Sequence, residues 1–313
     1  MIIQQFFFLH CVSLNKVNTG IVSDDVLKIL IPSTVAVSLF MLGLIAAYLK
    51  GNAERRRETR NLKNVITTWI PNLKKPIESL ANSCNDLSSR LGKSKEISSE
   101  QFKFNHLHVS KISGIELTQT LKTFITNTTG DKELKNSNTY NLVSSLEFFD
   151  KIENEIKNKY DEHYQYTGKL LNDWNISFIK FDNLNQIVHK KKDDISKERQ
   201  DLEGGLAEIS NSWHIEINRY PRNVEITFER LIRPYESLLT EYFNINGTRE
   251  QEVMNLMSST QDLKIVYQQW QVSHAAYSEI FKGYSNRLNS AYVLLLSASD
   301  YFRTQTKIKW FCN

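Results

Sequence analysis

The side chains of this chain that could do chemistry are mainly histidines. In "HLH", His106 and His108 stand two positions apart, so a strand would present both imidazoles on one face. A metal site needs at least one more ligand, and no third candidate stands nearby. Surface or interfacial histidines are therefore the favoured interpretation. His163 and His274 lie on apolar stripes, which is typical of core histidines with one hydrogen-bond partner; pH sensing is the alternative.

Motifs of known catalytic sites are absent from the sequence. It contains no H-E-x-x-H, no G-x-S-x-G and no glycine-rich phosphate loop. "TGKLL" lacks the glycine before it and the Ser or Thr after it, and "NING" lacks the carboxylates of a calcium loop. The stripe tryptophans favour core packing over cofactor stacking: Trp174, Trp213 and Trp270. We therefore expect no catalytic, cofactor-binding or metal-binding residues, and a protein that is not an enzyme.

Composition narrows the class of protein. The 313 residues are 41% hydrophobic and 24% charged, which is ordinary for a folded chain. Only 11 glycines and 5 prolines are present, which disfavours a many-stranded β fold and favours long helices. The three cysteines have no C-x-x-C spacing and are expected to be isolated thiols: Cys11, Cys84 and Cys312.

The net charge of +4 is concentrated in one short segment. Residues 50–63 carry six basic side chains against Glu54 and Glu58, whereas 1–49 and 64–313 are each neutral. A nucleic-acid-binding protein would spread basic residues over a folded face, so this partner class is excluded. The six form a membrane-proximal basic cluster: Lys50, Arg55, Arg56, Arg57, Arg60 and Lys63.

This cluster follows an apolar segment, residues 29–49, that carries no charged side chain. As a helix it would be about 31 Å long, close to the thickness of a bilayer's hydrocarbon core. Pro32 falls in the first turn and Tyr48 at the far interface, both tolerated positions. A buried core helix is usually shorter or amphipathic, so we predict a transmembrane helix.

The distribution of basic residues predicts the orientation. Loops rich in Lys and Arg stay on the cytoplasmic side, so residues 1–28 are expected outside and 64–313 inside a cell (inner) membrane. The basic segment 50–63 would lie near anionic headgroups, at about 1 kcal/mol per charge. The apolar start "MIIQQFFFLHCVS" lacks the basic n-region of a signal peptide. The bulky His10 before Cys11 also departs from the small-residue pattern of a lipoprotein box. We expect an uncleaved extracytoplasmic tail, with a cleaved signal as the alternative.

After the cluster, apolar residues recur at steps of three and four, which predicts helices. One stripe runs over 62–91 with a kink at Pro71 and Pro76, and others cover 140–190 and 206–242. The clearest covers 253–302, a helix of about 75 Å. Residues 99–130 favour two short helices split near Gly114, with a strand in "FKFNHLHV" as the alternative. A hairpin over 214–228 competes with helix, because both arms alternate.

These patterns predict an all-α fold: a single transmembrane helix followed by an elongated bundle of long antiparallel, coiled-coil-like helices. Aromatic residues dominate the last stripe, which suits a heterogeneous intramolecular bundle better than a parallel dimeric zipper. A homodimer stays an alternative. "NVITTWIPNLKKPIESL" is similar to "NVEITFERLIRPYESL", through duplication or, as we favour, convergent amphipathic patterning.

In layout the chain resembles uncharacterised bacterial membrane proteins that have one N-terminal anchor and a long helical cytoplasmic domain. The resemblance lies in "RRRETRNLKNVITTWI" and "FNHLHVSKI", and it implies no activity. We expect a membrane-anchored scaffold, adaptor or signalling protein whose partners are the lipid bilayer and another protein. The alternatives are a membrane-shaping helical module, which the neutral charge of 64–313 disfavours, and an enzyme with an unrecognised site.

Overall fold

The computed structural model describes residues 24–98, 100–104, 106–107, 117–190, 196–220, 222–246, 250–304 and 307–308. Their regular structure is helical, and in these ranges the β interactions amount to one isolated bridge between Thr128 and Ile308. The all-α prediction is therefore confirmed. The helices are α1 (Asp24–Asn72), α2 (Lys74–Leu91), α3 (Leu117–Asn127), α4 (Lys132–Val188), α5 (Lys197–Ile217), α6 (Val224–Thr227), α7 (Arg233–Asn246) and α8 (Gln251–Thr304), with a π-helical turn at Phe228–Ile232.

The first long helix, α1, has 49 residues and ends where the sequence predicts a kink. Pro76 has no backbone N–H, so the carbonyl of Asn72 receives no helical hydrogen bond from position 76. The chain bends at Leu73, whose N–H donates to Ile70 O (3.1 Å), and the helical pattern resumes when Ile77 N–H donates to Leu73 O (3.0 Å).

The two longest helices, α4 and α8, have 57 and 54 residues. They are therefore about 85 Å and about 80 Å long. Their contacts pair rising positions on α4 with falling positions on α8: Glu155 with Arg287, His163 with His274, and Lys180 with Asp262. The prediction of a helix over 253–302 is confirmed, and 140–190 forms one helix up to Val188.

Buried apolar residues form two clusters along α4 and α8. The first core joins the end of α1, α2, α3, the first half of α4 and the second half of α8; Ile70, Ile77, Phe124, Phe149 and Phe281 are examples. The second core joins the second half of α4, α5 to α7 and the first half of α8; Phe181, Leu206, Tyr235, Leu263 and Trp270 are examples. Each core thus has its own supporting helices, while α4 and α8 run through both.

The described residues of 214–228, which leave out position 221, contain no hairpin, so that alternative is wrong. Helix α5 continues to Ile217, a turn follows, and Asn223 caps α6 by accepting a hydrogen bond from Ile226 N–H (3.0 Å). The π-helical turn precedes Pro234, and Arg233 N–H donates to Phe228 O. Because Pro234 cannot donate, this wider turn lies where regular helical bonding would be lost.

The segment between α2 and α3 is neither the expected first helix nor a strand over its described residues. Phe102 and Phe104 pack against the first core and Leu107 is buried in it. Side chains, not a neighbouring strand, hold the backbone: Tyr160 OH donates to Glu100 O (3.2 Å), and Leu107 N–H donates to Glu153 Oε2 (3.1 Å). Of the two short helices expected in 99–130, the described residues of this range contain α3 alone.

Candidate functional site

Helix α1 lies in two environments along one continuous backbone. Between Val35 and Leu49 most of its apolar side chains are exposed, with 67% of Phe40 and 60% of Leu42 accessible. Ile66 and Ile70, about seven and eight turns beyond Leu42, are 1% exposed in the first core. Helix α1 is long and apolar enough to cross a membrane, and none of its apolar window is buried.

The basic cluster joins these two parts of α1, and its six members differ in exposure. Lys50, Arg55, Arg57 and Arg60 are exposed, whereas Arg56 and Lys63 are half-buried. Burial lowers the pKa of Lys63. A cluster that looks uniform in sequence therefore has an exposed face of four cations and a second face turned to the helical domain.

A buried threonine ties the basic cluster to the rest of the domain. Thr59 Oγ1 donates to Arg55 O (2.8 Å) and accepts from Asn127 Nδ2 (3.1 Å) at the end of α3. Beside it, Thr129 N–H donates to Lys307 O (2.7 Å), next to the bridge between Thr128 and Ile308. The end of the domain nearest the apolar part of α1 is thus closed by the α3–α4 turn and the segment after α8.

The chemistry-bearing residues meet elsewhere, between the two cores. His163 of α4 is 0% exposed and His274 of α8 is 4% exposed, and their ring centres lie 5.5 Å apart. Thr167 Oγ1 lies 3.4 Å from His163 Nδ1, and the Tyr277 ring centre lies 4.6 Å from that of His163. We call His163, Thr167, Trp270, His274 and Tyr277 the histidine layer.

The hydrogen bonds of the layer fix the tautomer of His274. Trp270 Nε1–H donates to His274 Nε2 (3.2 Å), so this nitrogen carries no proton and the neutral ring carries it on Nδ1. Burial lowers the pKa of both imidazoles to about 4, and the neighbouring His163 also lowers that of His274. Both rings are therefore neutral at pH 7. Burial and the hydrogen bond to Glu162 raise the pKa of Tyr277 to about 12, so its hydroxyl stays protonated.

This pair does not fit a metal ion. The lone pair of His274 Nε2 is taken by the indole N–H, and Nδ1 holds the proton, so neither nitrogen offers a free ligand. The side chains in the described ranges form no group of three His, Cys, Asp or Glu suited to a metal. What the layer can do is change charge, because two neutral imidazoles lie together in it. Among the described residues, His163 Nε2 and His274 Nδ1 have no hydrogen-bond partner.

The other candidates from the sequence take structural positions. His106 is exposed and contacts the Glu153 carboxylate, while His108 lies outside the described residues, as do Cys11, Cys312 and 1–23. Cys84 is buried in the first core, and burial raises its pKa to about 12. Trp174 and Trp270 are buried in the second core, and Trp213 packs against it, donating from Nε1–H to Thr227 Oγ1 (3.3 Å).

An open cleft of about 430 Å³ borders the layer. Its lining includes Lys93 and Lys95 after α2, Glu225 of α6, and Gln271 and His274 of α8. Lys95 pairs with Glu225 (3.0 Å) across its rim. Among the described residues that line the cleft, no nucleophile is hydrogen-bonded to a base.

Sequence reasoning placed His163 and His274 on core faces but did not bring them together. They stand 111 positions apart, and the stripes that carry them do not specify the register between α4 and α8. Thr59 carried no signal either, since its partner Asn127 belongs to another helix. The chain matches no protein-family model, no curated protein and no solved structure.

Proposed function

We propose that this protein is a membrane-anchored helical scaffold or signalling adaptor. Helix α1 crosses the bilayer once, with the N-terminus outside and residues 64–313 in the cytoplasm of a cell bounded by that inner membrane. The observation that carries the proposal is the continuity of α1, which passes from an exposed apolar part to the buried residues Ile66 and Ile70 without a break.

The energetics of α1 support a lipid environment for its first part. Eleven residues of 29–49 are Leu, Ile, Phe or Val. On an insertion scale of −0.3 to −0.6 kcal/mol each, they contribute about −3 to −7 kcal/mol to membrane insertion. An exposed apolar helix of this length would otherwise remain in contact with water. The exposed cations Arg55, Arg57 and Arg60 immediately after it support the inward orientation.

The shape of the helical domain supports a scaffold role. We infer that α4 and α8 form the spine of an elongated, antiparallel, coiled-coil-like bundle that extends away from the membrane. At the second core, which lies away from α1, Ile176 and Ile179 of α4 are 59% and 62% exposed. Large exposed apolar side chains that lie together are typical of protein contacts, so the proposed partner is another protein that binds at this end.

The membrane assignment is tested with the full chain in bacterial cells. We expect the chain to stay in the membrane pellet after carbonate extraction, and a fluorescent protein fused after Asn313 to be active inside the cell. The variant Leu39→Arg/Leu42→Arg should release a large share of the chain, because each arginine adds about 2.5 to 3.5 kcal/mol to insertion at the helix centre.

The matched control is Val272→Arg/Val293→Arg, which adds the same charges at exposed positions of α8 and should leave the chain in the pellet. A wild-type chain extracted by carbonate would overturn the membrane anchor. A C-terminal reporter active only outside the cell would overturn the orientation alone.

A further inference from the structure

The histidine layer holds two buried imidazoles that the proposed function does not use. We propose that it is an acid-sensitive joint, in which protonation of His163 and His274 separates α4 from α8 at this level while the two cores stay packed. This inference depends on the contacts between α4 and α8 alone and goes beyond the membrane anchor.

The geometry makes two charges in the layer unfavourable. One imidazole comes from each helix, the ring centres are 5.5 Å apart, and both side chains are buried. Two imidazolium ions at this spacing repel, and burial removes the water and salt that would screen them. Movement of α4 away from α8 relieves the repulsion and hydrates both rings.

The surrounding elements do not offer a compensating carboxylate. In the described ranges no carboxylate accepts a hydrogen bond from either imidazole. Glu162 of α4 accepts instead from Lys159 (2.6 Å) and from Tyr277 OH (3.1 Å), and Glu225 of α6 pairs with Lys95. The titratable and charged side chains around the layer are Lys159, Glu162 and Tyr166 on α4, Tyr267 and Tyr277 on α8, Lys93 and Lys95 after α2, and Glu225 on α6.

Trp270 opposes protonation of His274 in a specific way. Its indole N–H donates to His274 Nε2, so a proton added to that nitrogen would displace the hydrogen bond. The proton-accepting atom of His274 is therefore already occupied in the closed layer. Opening frees this nitrogen and supplies water to both new N–H groups.

The sign of the pH dependence follows from burial. Both imidazoles have a folded-state pKa of about 4, below the ordinary value of 6.5, so the open state binds more protons. The closed layer keeps its full stability above pH 6.5 and loses it as the pH falls from 6.5 towards 4. At pH 5 each histidine raises the opening equilibrium about 30-fold, and the pair on the order of 10³-fold.

The test is hydrogen exchange of the full chain in detergent micelles at pH 7 and pH 5, corrected for the intrinsic exchange rate. Peptides that cover His163 and His274 should open 10²- to 10³-fold more at pH 5 than at pH 7, on the order set by proton linkage. Peptides of α2 and α7 should change much less. The variant His163→Gln/His274→Gln should lose the effect, and His214→Gln, at an exposed position of α5, should keep it.

A second measurement applies even where the double variant does not fold. Nitrogen NMR of the labelled imidazoles in the wild-type chain should show His274 protonated on Nδ1 at pH 7, and both rings titrating below pH 5. Titration of either ring near pH 6.5 would overturn the joint. Exchange that stays unchanged at pH 5, or that rises equally in all helices, would overturn it too.

Discussion

The two cores share α4 and α8 and differ in what packs against them. In the first core the third element is α2, a single amphipathic helix whose stripe Ile77, Leu80, Cys84, Leu87 and Leu91 is fully buried. In the second core this place is taken by α5, α6, the π-helical turn and α7. The comparison teaches that a regular stripe closes a core mainly by apolar area, whereas broken helices leave backbone and charged groups that need polar partners.

Polar groups in the second core make this difference concrete. Tyr235 is fully buried, and its hydroxyl donates to Leu206 O (3.0 Å). Arg199 donates from Nη2 to Val188 O (3.1 Å), the last carbonyl of α4, and pairs with Glu203 (3.0 Å) and Glu250 (3.1 Å). These contacts join the end of α4, the start of α5 and the residue before α8. Helix α2, in contrast, is continuous along the first core.

The largest expected effect is the loss of a buried ring from one core, which should destabilise that core and leave the other largely unchanged. Phe281→Ala removes a fully buried ring from the first core and should cost about 3 to 5 kcal/mol of local unfolding free energy, measured by hydrogen exchange in α2. The histidine layer lies between the cores, so α5 and α7 should keep most of their protection. Phe181→Ala, in the second core, is the matched variant and should give the reverse pattern. Equal losses in both regions from either variant would show that the cores unfold as one unit.

The next effect compares the ion pairs of the two regions. Arg199→Met should cost about 2 to 3 kcal/mol in urea unfolding, because the Arg199 side chain is only 5% exposed and its removal takes from Glu203 and Glu250 the cation that they share. This expected cost is smaller than is usual for breaking a buried ion pair, because the Glu203 and Glu250 carboxylates are partly exposed to water.

The matched variant lies beside the first core. Arg287→Met breaks a pair with Glu155 in which both side chains are about half exposed, so it should cost less than about 1 kcal/mol. If the Arg199 variant is as stable as the Arg287 variant, the second core does not depend on its buried cation.

The helical stripes were predictable because their period is a local property of the sequence. The steps of three and four from Val253 to Phe302 gave α8 almost to its ends, since no proline or glycine cap interrupts them. Pro76 likewise marked the end of α1 by the hydrogen bond that it cannot make.

Other parts depended on contacts that no local pattern contains. The alternating residues of 214–228 fitted a hairpin as well as a helix, and the cap at Asn223 decided the outcome. Glu100 and Leu107 belong to no regular element, and their backbone groups are held by the side chains of Tyr160 and Glu153 on α4. For the candidate sites, the basic residues were evident from sequence, but their division into exposed and half-buried members is a property of the folded domain.

The smallest expected effect distinguishes two adjacent glycines of α5. A Cβ at Gly205 would lie 2.8 Å from Leu238 Cδ2 of α7, while a Cβ at Gly204 would meet nothing within 4 Å. Gly204→Ala should therefore stabilise the chain by about 0.5 to 1 kcal/mol through helix propensity. Gly205→Ala has the same gain in propensity, but Leu238 must shift and loosen its packing, so its net change should be about 1 to 2 kcal/mol less favourable than that of Gly204→Ala.

Beside the first core, Gly283→Ala provides the comparison, because a Cβ at this position has open space. It should stabilise as Gly204→Ala does, measured as the urea midpoint of unfolding in the same micelles. If Gly205→Ala stabilises as much as the other two, then α5 and α7 do not pack as closely as this contact requires. In that case the second core would tolerate an added methyl group at Gly205 as readily as α8 does at Gly283. The dependence of the second core on close packing between α5 and α7 would then be disproved.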